Sequence, residues 1–175
     1  MGKGRTMARL LIIVPCGERK IWDRNPDHGP SPAREAYIGP PFVINRQYAE
    51  RFATRWVVLS AKYGFIAPNF IIPGPYNVTF KMKRTNPVSA VMLTEQVKRE
   101  GLGEFEAIIG LGGAEYRDRV AVAFAENGVK PVFPFAGYPK IGKMMQAVKK
   151  ATACGNPYGG ARNESSVPQL PDERS

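Results

Sequence analysis

Cysteine and histidine are nearly absent from this 175-residue chain: Cys16, Cys154 and His28 are the whole supply. Two cysteines in unlike surroundings do not make a disulfide framework. One histidine without paired Cys/His spacing offers no zinc set, so neither a metal nor a cofactor is expected. Long apolar runs are missing as well. The longest extend over about five or six residues, against the roughly 20 needed to span a bilayer. Met7–Val14 is too short for a signal peptide. Together these absences predict a cytoplasmic protein without a membrane partner. Nucleotide fingerprints are lacking too: after Gly110-Leu-Gly-Gly113, the next glycine of Gly-x-Gly-x-x-Gly would fall on Glu115. There is no P-loop. Nicotinamide, flavin and nucleoside-triphosphatase readings are thereby demoted.

What the chain has is an ordinary globular composition, 43% apolar and 23% charged, with a strong basic excess. At this length one domain buries about 70% of the surface its unfolded chain exposes, enough for a core without disulfides. The net charge is +10, and residues 9–152 alone carry 21 cations and 12 anions, a net +9. The charge is therefore a property of the core. It favours a nucleic-acid or nucleotide partner, against the plainer possibility of a basic but inert surface. Oligomeric state leaves no mark on the sequence.

Apolar runs and helical patterns alternate along the chain. Residues 1–8 read as a flexible leader, 9–152 as the folded domain and 153–175 as a disordered tail whose composition does not offset its ordering entropy. Strands are predicted at Leu10–Pro15, Trp56–Ser60, Phe105–Gly110 and Lys130–Phe135. Helices are predicted near Pro41–Thr54, Asn86–Glu100, Ala114–Glu126 and Pro139–Ala151. Two long loops, 16–39 and about 65–84, carry much of the proline and glycine, and loops of that length are commonly functional. This alternation implies an α/β fold: a single three-layer domain with a mainly parallel sheet of four to five strands and helices on both faces.

In such sheets ligands bind beyond the carboxyl ends of the strands. Each predicted strand leaves through small residues or a turn: Pro15-Cys16-Gly17, Ser60-Ala61, Gly110–Gly113 and Phe135-Ala136-Gly137. Such exits let a ligand approach the backbone, and the next helix N-terminus offers N–H groups to an anion. Candidate ligand- or phosphate-binding residues there are Gly17, Arg19, Lys20, Ser60, Tyr63, Gly112, Gly113 and Tyr116. Candidates for chemistry are Cys16, Lys62, Tyr76 and Glu115. A thiol beside Arg19 and Lys20 would have its thiolate favoured, although a small packing residue at a strand end fits Cys16 equally. Glu115 either exchanges a proton or caps a helix. Tyr76 follows the stiff turn Pro73-Gly74-Pro75. Trp22 and Tyr37 either stack on a base or anchor their loop. Lys81, Lys83 and Arg84 form a basic cluster suited to a nucleic-acid surface.

Four motifs carry a likeness to a known group. They are Cys16-Gly-x-Arg-Lys20, Ser60-Ala-Lys-Tyr-Gly-Phe-Ile-Ala-Pro68 leading to Pro75-Tyr76, Gly112-Gly-Ala-Glu-Tyr116 and Phe135-Ala-Gly137. Together they resemble the YaaA-like superfamily of small bacterial and phage domains, over roughly residues 9–150. The resemblance implies a link to nucleic acid, since the superfamily's namesake is associated with DNA binding and protection during peroxide stress. A more distant likeness is to the catalytic domain of archaeosine synthase, which modifies a base in transfer RNA. There a Pro-Cys-Ser-x-x-Lys-Pro motif follows a strand, and Pro15-Cys16-Gly-Glu-Arg-Lys20 is similar, with glycine in place of the serine.

Two functional expectations result. The first is an enzyme acting on a nucleobase, nucleoside or nucleotide unit, by base modification or glycosidic-bond chemistry, in a cationic pocket at the strand ends. The second is a non-catalytic DNA-binding protein of stress response, in which the motifs are architectural.

Overall fold

The computed structural model describes residues 8–159. Nearly all of the expected leader, and the tail from residue 160, lie outside the described residues. In chain order the elements are β1 (Leu10–Pro15), α1 (Ile21–Arg24), β2 (Ser31–Pro32), α2 (Ala33–Ala36), α3 (Pro40–Phe52) and β3 (Arg55–Ser60). There follow β4 (Gly64–Ile66), β5 (Ile71–Ile72), α4 (Ala90–Arg99), β6 (Ala107–Gly110), α5 (Ala114–Ala123) and α6 (Ile141–Cys154). The main sheet has four strands in the order β4-β3-β1-β6, so the fold is mixed α/β. β1 pairs in parallel with β3 and β6, and β4 runs antiparallel at the edge.

The central strand shows why the sheet forms here. β1 is buried along its whole length, and its side chains alternate between two apolar clusters. Leu10, Ile12 and Val14 join Tyr48 and Ala49 of α3 and Met145 and Val148 of α6. Leu11 and Ile13 join Leu93 and Val97 of α4 and Val120 and Ala123 of α5. A period of two sends these sets to opposite faces, which explains why the run is continuously apolar.

The helix boundaries follow local chemistry. α3 starts at Gly39 with proline in its first turn, and its buried residues Phe42, Asn45, Tyr48 and Ala49 share one face. α4 begins at Ala90, later than the sequence pattern suggests. Asn86 is left-handed (φ 57°) and closes a short 3-10 turn at Lys83–Thr85, and the helix starts instead at Ser89, whose hydroxyl accepts from the Met92 N–H at 3.2 Å. Gly101, at φ 64°, stops it as expected. Gln96 of α4 reaches the edge strand, accepting from Phe65 N and donating to Tyr63 O, both at 2.9 Å. These bonds occupy part of an edge otherwise open to pairing.

Three expectations need correction. Lys130–Phe135 is not a strand but a single parallel bridge, Val132 to Ile109. Pro131 and Pro134 lack N–H donors and interrupt the ladder on either side of Val132, whose N–H donates to Ile108 O and whose carbonyl accepts from Gly110 N. Residues 16–39 are not a plain loop. They hold α1, β2 and α2, bury Trp22, Ala33, Ala36 and Tyr37, and pair with residues 71–72 as a second, two-stranded sheet. Finally, α6 continues to Cys154, and Gly155 ends it at φ 73°. Tyr158 packs against the α3–α6 cluster, and the Tyr48 hydroxyl donates to Pro157 O, so ordered packing continues past residue 152.

Candidate functional site

Parallel pairing brings the carboxyl ends of β1, β3 and β6 to one edge of the sheet. Cys16 lies one residue past β1, where its N–H still donates to Leu59 O at 3.1 Å. The thiol is half-buried and stands 3.3 Å from the Tyr116 hydroxyl, which donates to the Cys16 carbonyl at 3.2 Å. A phenol has one proton, so in the neutral pair the S–H serves as donor to the phenol oxygen. Burial pushes the Cys16 thiol up, outweighing the Tyr116 hydroxyl, the Ala61 backbone and the Lys20 charge, which pull it down. The thiolate expected beside Arg19 and Lys20 is therefore not the favoured form.

A second set of hydroxyls lies beside the first. Ser60, fully buried at the end of β3, accepts from the N–H groups of Lys62 and Tyr63, both at 3.2 Å. With both lone pairs taken, its own proton goes to the Tyr76 hydroxyl at 3.0 Å. Tyr76 in turn bonds the hydroxyl of Tyr37, which is 1% exposed. Burial raises the phenols of Tyr37, Tyr76 and Tyr116 well above the usual tyrosine range, so all three carry their protons at neutral pH. The Cys16 and Tyr76 groups add to these shifts, which shows that the two sets feel one another.

Two ammonium groups flank these hydroxyls. Lys20 Nζ lies 4.5 Å from the Tyr76 ring centre, and Lys62 Nζ lies 5.6 Å from it and 5.3 Å from that of Tyr63. Neither is ion-paired with a carboxylate among the described residues. At the exit of β6, Gly112 takes φ 104° and its Cα faces the Pro15 ring so closely that a Cβ would lie 2.8 Å from Cγ. Gly113 begins α5 with no side-chain cap and open space around it. That helix start is open to an anion, whereas Pro40 and Pro41 remove two N–H groups from the start of α3.

The structure thus joins Cys16, Lys20, Ser60, Lys62, Tyr63, Tyr76 and Tyr116, with Gly17 packed beneath against Tyr37 and Phe42. Others stand apart. Arg19 is exposed, and Glu115 is exposed on the first turn of α5, where its charge reaches Tyr116 without a side-chain hydrogen bond. Lys81 is ion-paired with Glu18 at 3.3 Å, and Lys83 and Arg84 are exposed on the 3-10 turn. His28 lies exposed in its loop. Trp22 is an anchor: it is buried and donates to Gly29 O at 2.8 Å.

Sequence reasoning missed the hydroxyl role of Tyr37 and the brace formed by Phe80 and Arg119. Arg119 lies 4.1 Å over the Phe80 ring and donates to the carbonyls of Phe80 and Glu115; Phe80 meets Tyr116 edge-on at 5.6 Å. The brace ties the Tyr76-bearing segment to α5. Only the i, i+3 spacing of Tyr116 and Arg119 hints at it. Among the described residues no group of three His, Cys, Asp or Glu side chains is placed to hold a metal ion, and no helix is long and apolar enough to cross a membrane.

A cluster of protonated thiol and phenols beside two lysines, on an α/β sheet edge, finds its place in a family rather than under an activity. The chain belongs to a family of unknown function, DUF6884, whose model matches residues 11–150. It is similar to the uncharacterized protein YfjM of Bacillus subtilis (strain 168), with 38% identity over 143 residues, covering 82% of this chain and 95% of that one. No solved structure gives a significant match.

Proposed function

We propose that the strand-end cleft binds a nucleobase, nucleoside or nucleotide unit, free or within nucleic acid, and carries out base modification or glycosidic-bond chemistry on it. The observation that carries this reading is the pair of ammonium groups, Lys20 and Lys62, over the Tyr76 ring beside a buried hydroxyl network, with no carboxylate paired to either among the described residues. The cations suit phosphate, the tyrosine faces suit a base, and the net charge of +10 favours a polyanion. The likeness to the YaaA-like superfamily supports the same direction, and a three-layer core in a cytoplasmic protein is part of the proposal.

The protonation states narrow the chemistry. Cys16, Tyr76 and Tyr116 act as hydrogen-bond donors or proton sources, not as ready nucleophiles. Lys62 stabilises charge developing on a leaving or attacked oxygen. Calorimetry with a panel of nucleosides and their 5′-phosphates tests the reading. Lys62→Ala weakens the phosphates by roughly 10- to 150-fold and spares the nucleosides, in line with roughly 1.5–3 kcal/mol for a charged hydrogen bond. A wild-type protein that binds no member of the panel overturns it.

One observation favours the second reading, a non-catalytic DNA binder of stress response: Lys83 and Arg84 are exposed on the 3-10 turn and have no acidic partner among the described residues. A duplex binder of that kind loses affinity log-linearly with salt, and Lys83→Ala with Arg84→Ala lowers the slope by about two.

A further inference from the structure

Resting on that reading of the cleft, we infer that its ligand is a single-stranded nucleic acid, with one nucleotide at the strand ends and the next stacked along the Tyr63–Phe70 edge. The aromatic side chains form a continuous series. The Tyr76 and Tyr63 rings are 5.6 Å apart and nearly perpendicular, and the Tyr63 and Phe70 rings are 5.1 Å apart. Lys62 lies over the first two. Exposure rises outward: Tyr76 and Tyr63 are half-buried, and Phe70 is 37% exposed and lies outside both apolar clusters.

A second observation continues the series. A groove of about 280 Å³ runs beside the edge strand β4, lined by Tyr63 and Phe70 at one end and Arg55, Arg99 and Leu102 at the other. It is close to the lower limit of ligand-sized cavities, about 300 Å³. Its cations are tied to a single residue: Arg99 pairs with the Glu100 carboxylate at 3.5 Å, and Arg55 donates to the Glu100 carbonyl at 3.1 Å. The groove and the cleft therefore share Tyr63, and each has an aromatic wall and cations. Aromatic faces with cations beside them match a strand whose bases are free to stack and whose phosphates track alongside. A duplex offers no such faces, because its bases are already stacked within the helix.

The test measures anisotropy of a labelled single-stranded decamer, the same decamer as a duplex, and a 5′-mononucleotide at low salt. Single strand is expected to bind more tightly than duplex. Phe70→Ala lowers decamer affinity roughly 5- to 150-fold, the range of one lost base stack, and leaves the mononucleotide within about twofold. Phe70→Tyr restores decamer binding. Phe70 is exposed, so unchanged melting of the variants separates binding from folding. If Phe70→Ala leaves the decamer unchanged while Lys62→Ala weakens the mononucleotide, the edge path is overturned and the cleft stands. If Lys62→Ala affects neither ligand, the cleft reading itself falls. Duplex binding equal to or tighter than single strand, or inorganic polyphosphate binding as tightly as the decamer, overturns the proposal in favour of charge alone.

Discussion

Replacing Tyr76 by phenylalanine removes the hub of the buried hydroxyl network and keeps the ring under Lys20 and Lys62. The cost depends on what is left behind. Ser60 keeps two backbone N–H bonds but loses the acceptor for its proton, and Tyr37, 1% exposed, loses its hydroxyl partner. A buried hydroxyl stripped of its partner costs about 1–3 kcal/mol, so Tyr76→Phe destabilises by about 2–4 kcal/mol. Tyr37→Phe is milder, about 1 kcal/mol, because the half-buried Tyr76 retains Ser60 and can turn to water. The double variant is the decisive case. Once Tyr76 has lost its hydroxyl, removing that of Tyr37 relieves a buried unpaired group. The double variant is then no less stable than Tyr76→Phe, with a coupling of roughly 1–2 kcal/mol. Urea unfolding at neutral pH with unchanged slopes reads these differences as midpoint shifts of about 1–2 M for the hub variant. Additive single costs, or Tyr37→Phe costing more than Tyr76→Phe, would refute the relay.

Adjacent glycines give a contrast at the exit of β6. Gly112→Ala forces a Cβ at φ 104° and 2.8 Å from Pro15, costing about 2 kcal/mol or more, whereas Gly113→Ala, at φ −75° in open space, costs under about 1 kcal/mol; melting temperatures separate them. Raised phenols bind their protons more tightly in the folded state. Tyr37, Tyr76 and Tyr116 therefore contribute stability that is full below the unfolded tyrosine value of about 10 and is lost as pH rises above it. Urea titrations from pH 8 to 11 are expected to show that decline, with a shallower slope in Tyr116→Phe; an unchanged slope refutes the assignment. A thiol reagent at neutral pH is expected to label exposed Cys154 quickly and Cys16 slowly, with equal rates once urea unfolds the chain. Equal rates in the folded protein would show that the Cys16 thiol is neither shielded nor raised.

Much of the site was legible one residue at a time. Apolar runs at residues 10–15 and 56–60 announce strands buried on both faces, and a strand end followed by cysteine, glycine and cations marks where ligands meet such sheets. Gly101 was legible as the stop of a helix, and it takes φ 64° there. Lys130–Phe135 misled because periodicity weighs side chains, while two prolines decide through missing N–H groups. Trp22 and Tyr37 were ambiguous because an aromatic ring in a loop reads the same whether it faces a ligand or the core.

What the sequence determined alone is composition and local pattern: an α/β alternation, a basic core, small residues at the strand exits, and too few cysteines and histidines for a framework or a zinc set. Tertiary structure decided the states of the groups. In the sequence Cys16 is open between an activated thiol and a small packing residue; folding packs it against Tyr116, and desolvation outweighs Lys20. Tyr37, Ser60 and Tyr76 lie far apart along the chain and become one relay only because the 16–39 segment and the β3 exit meet at the same edge. Charge and hydrogen bonding act over a few ångströms of space, and those distances exist only after the chain has folded.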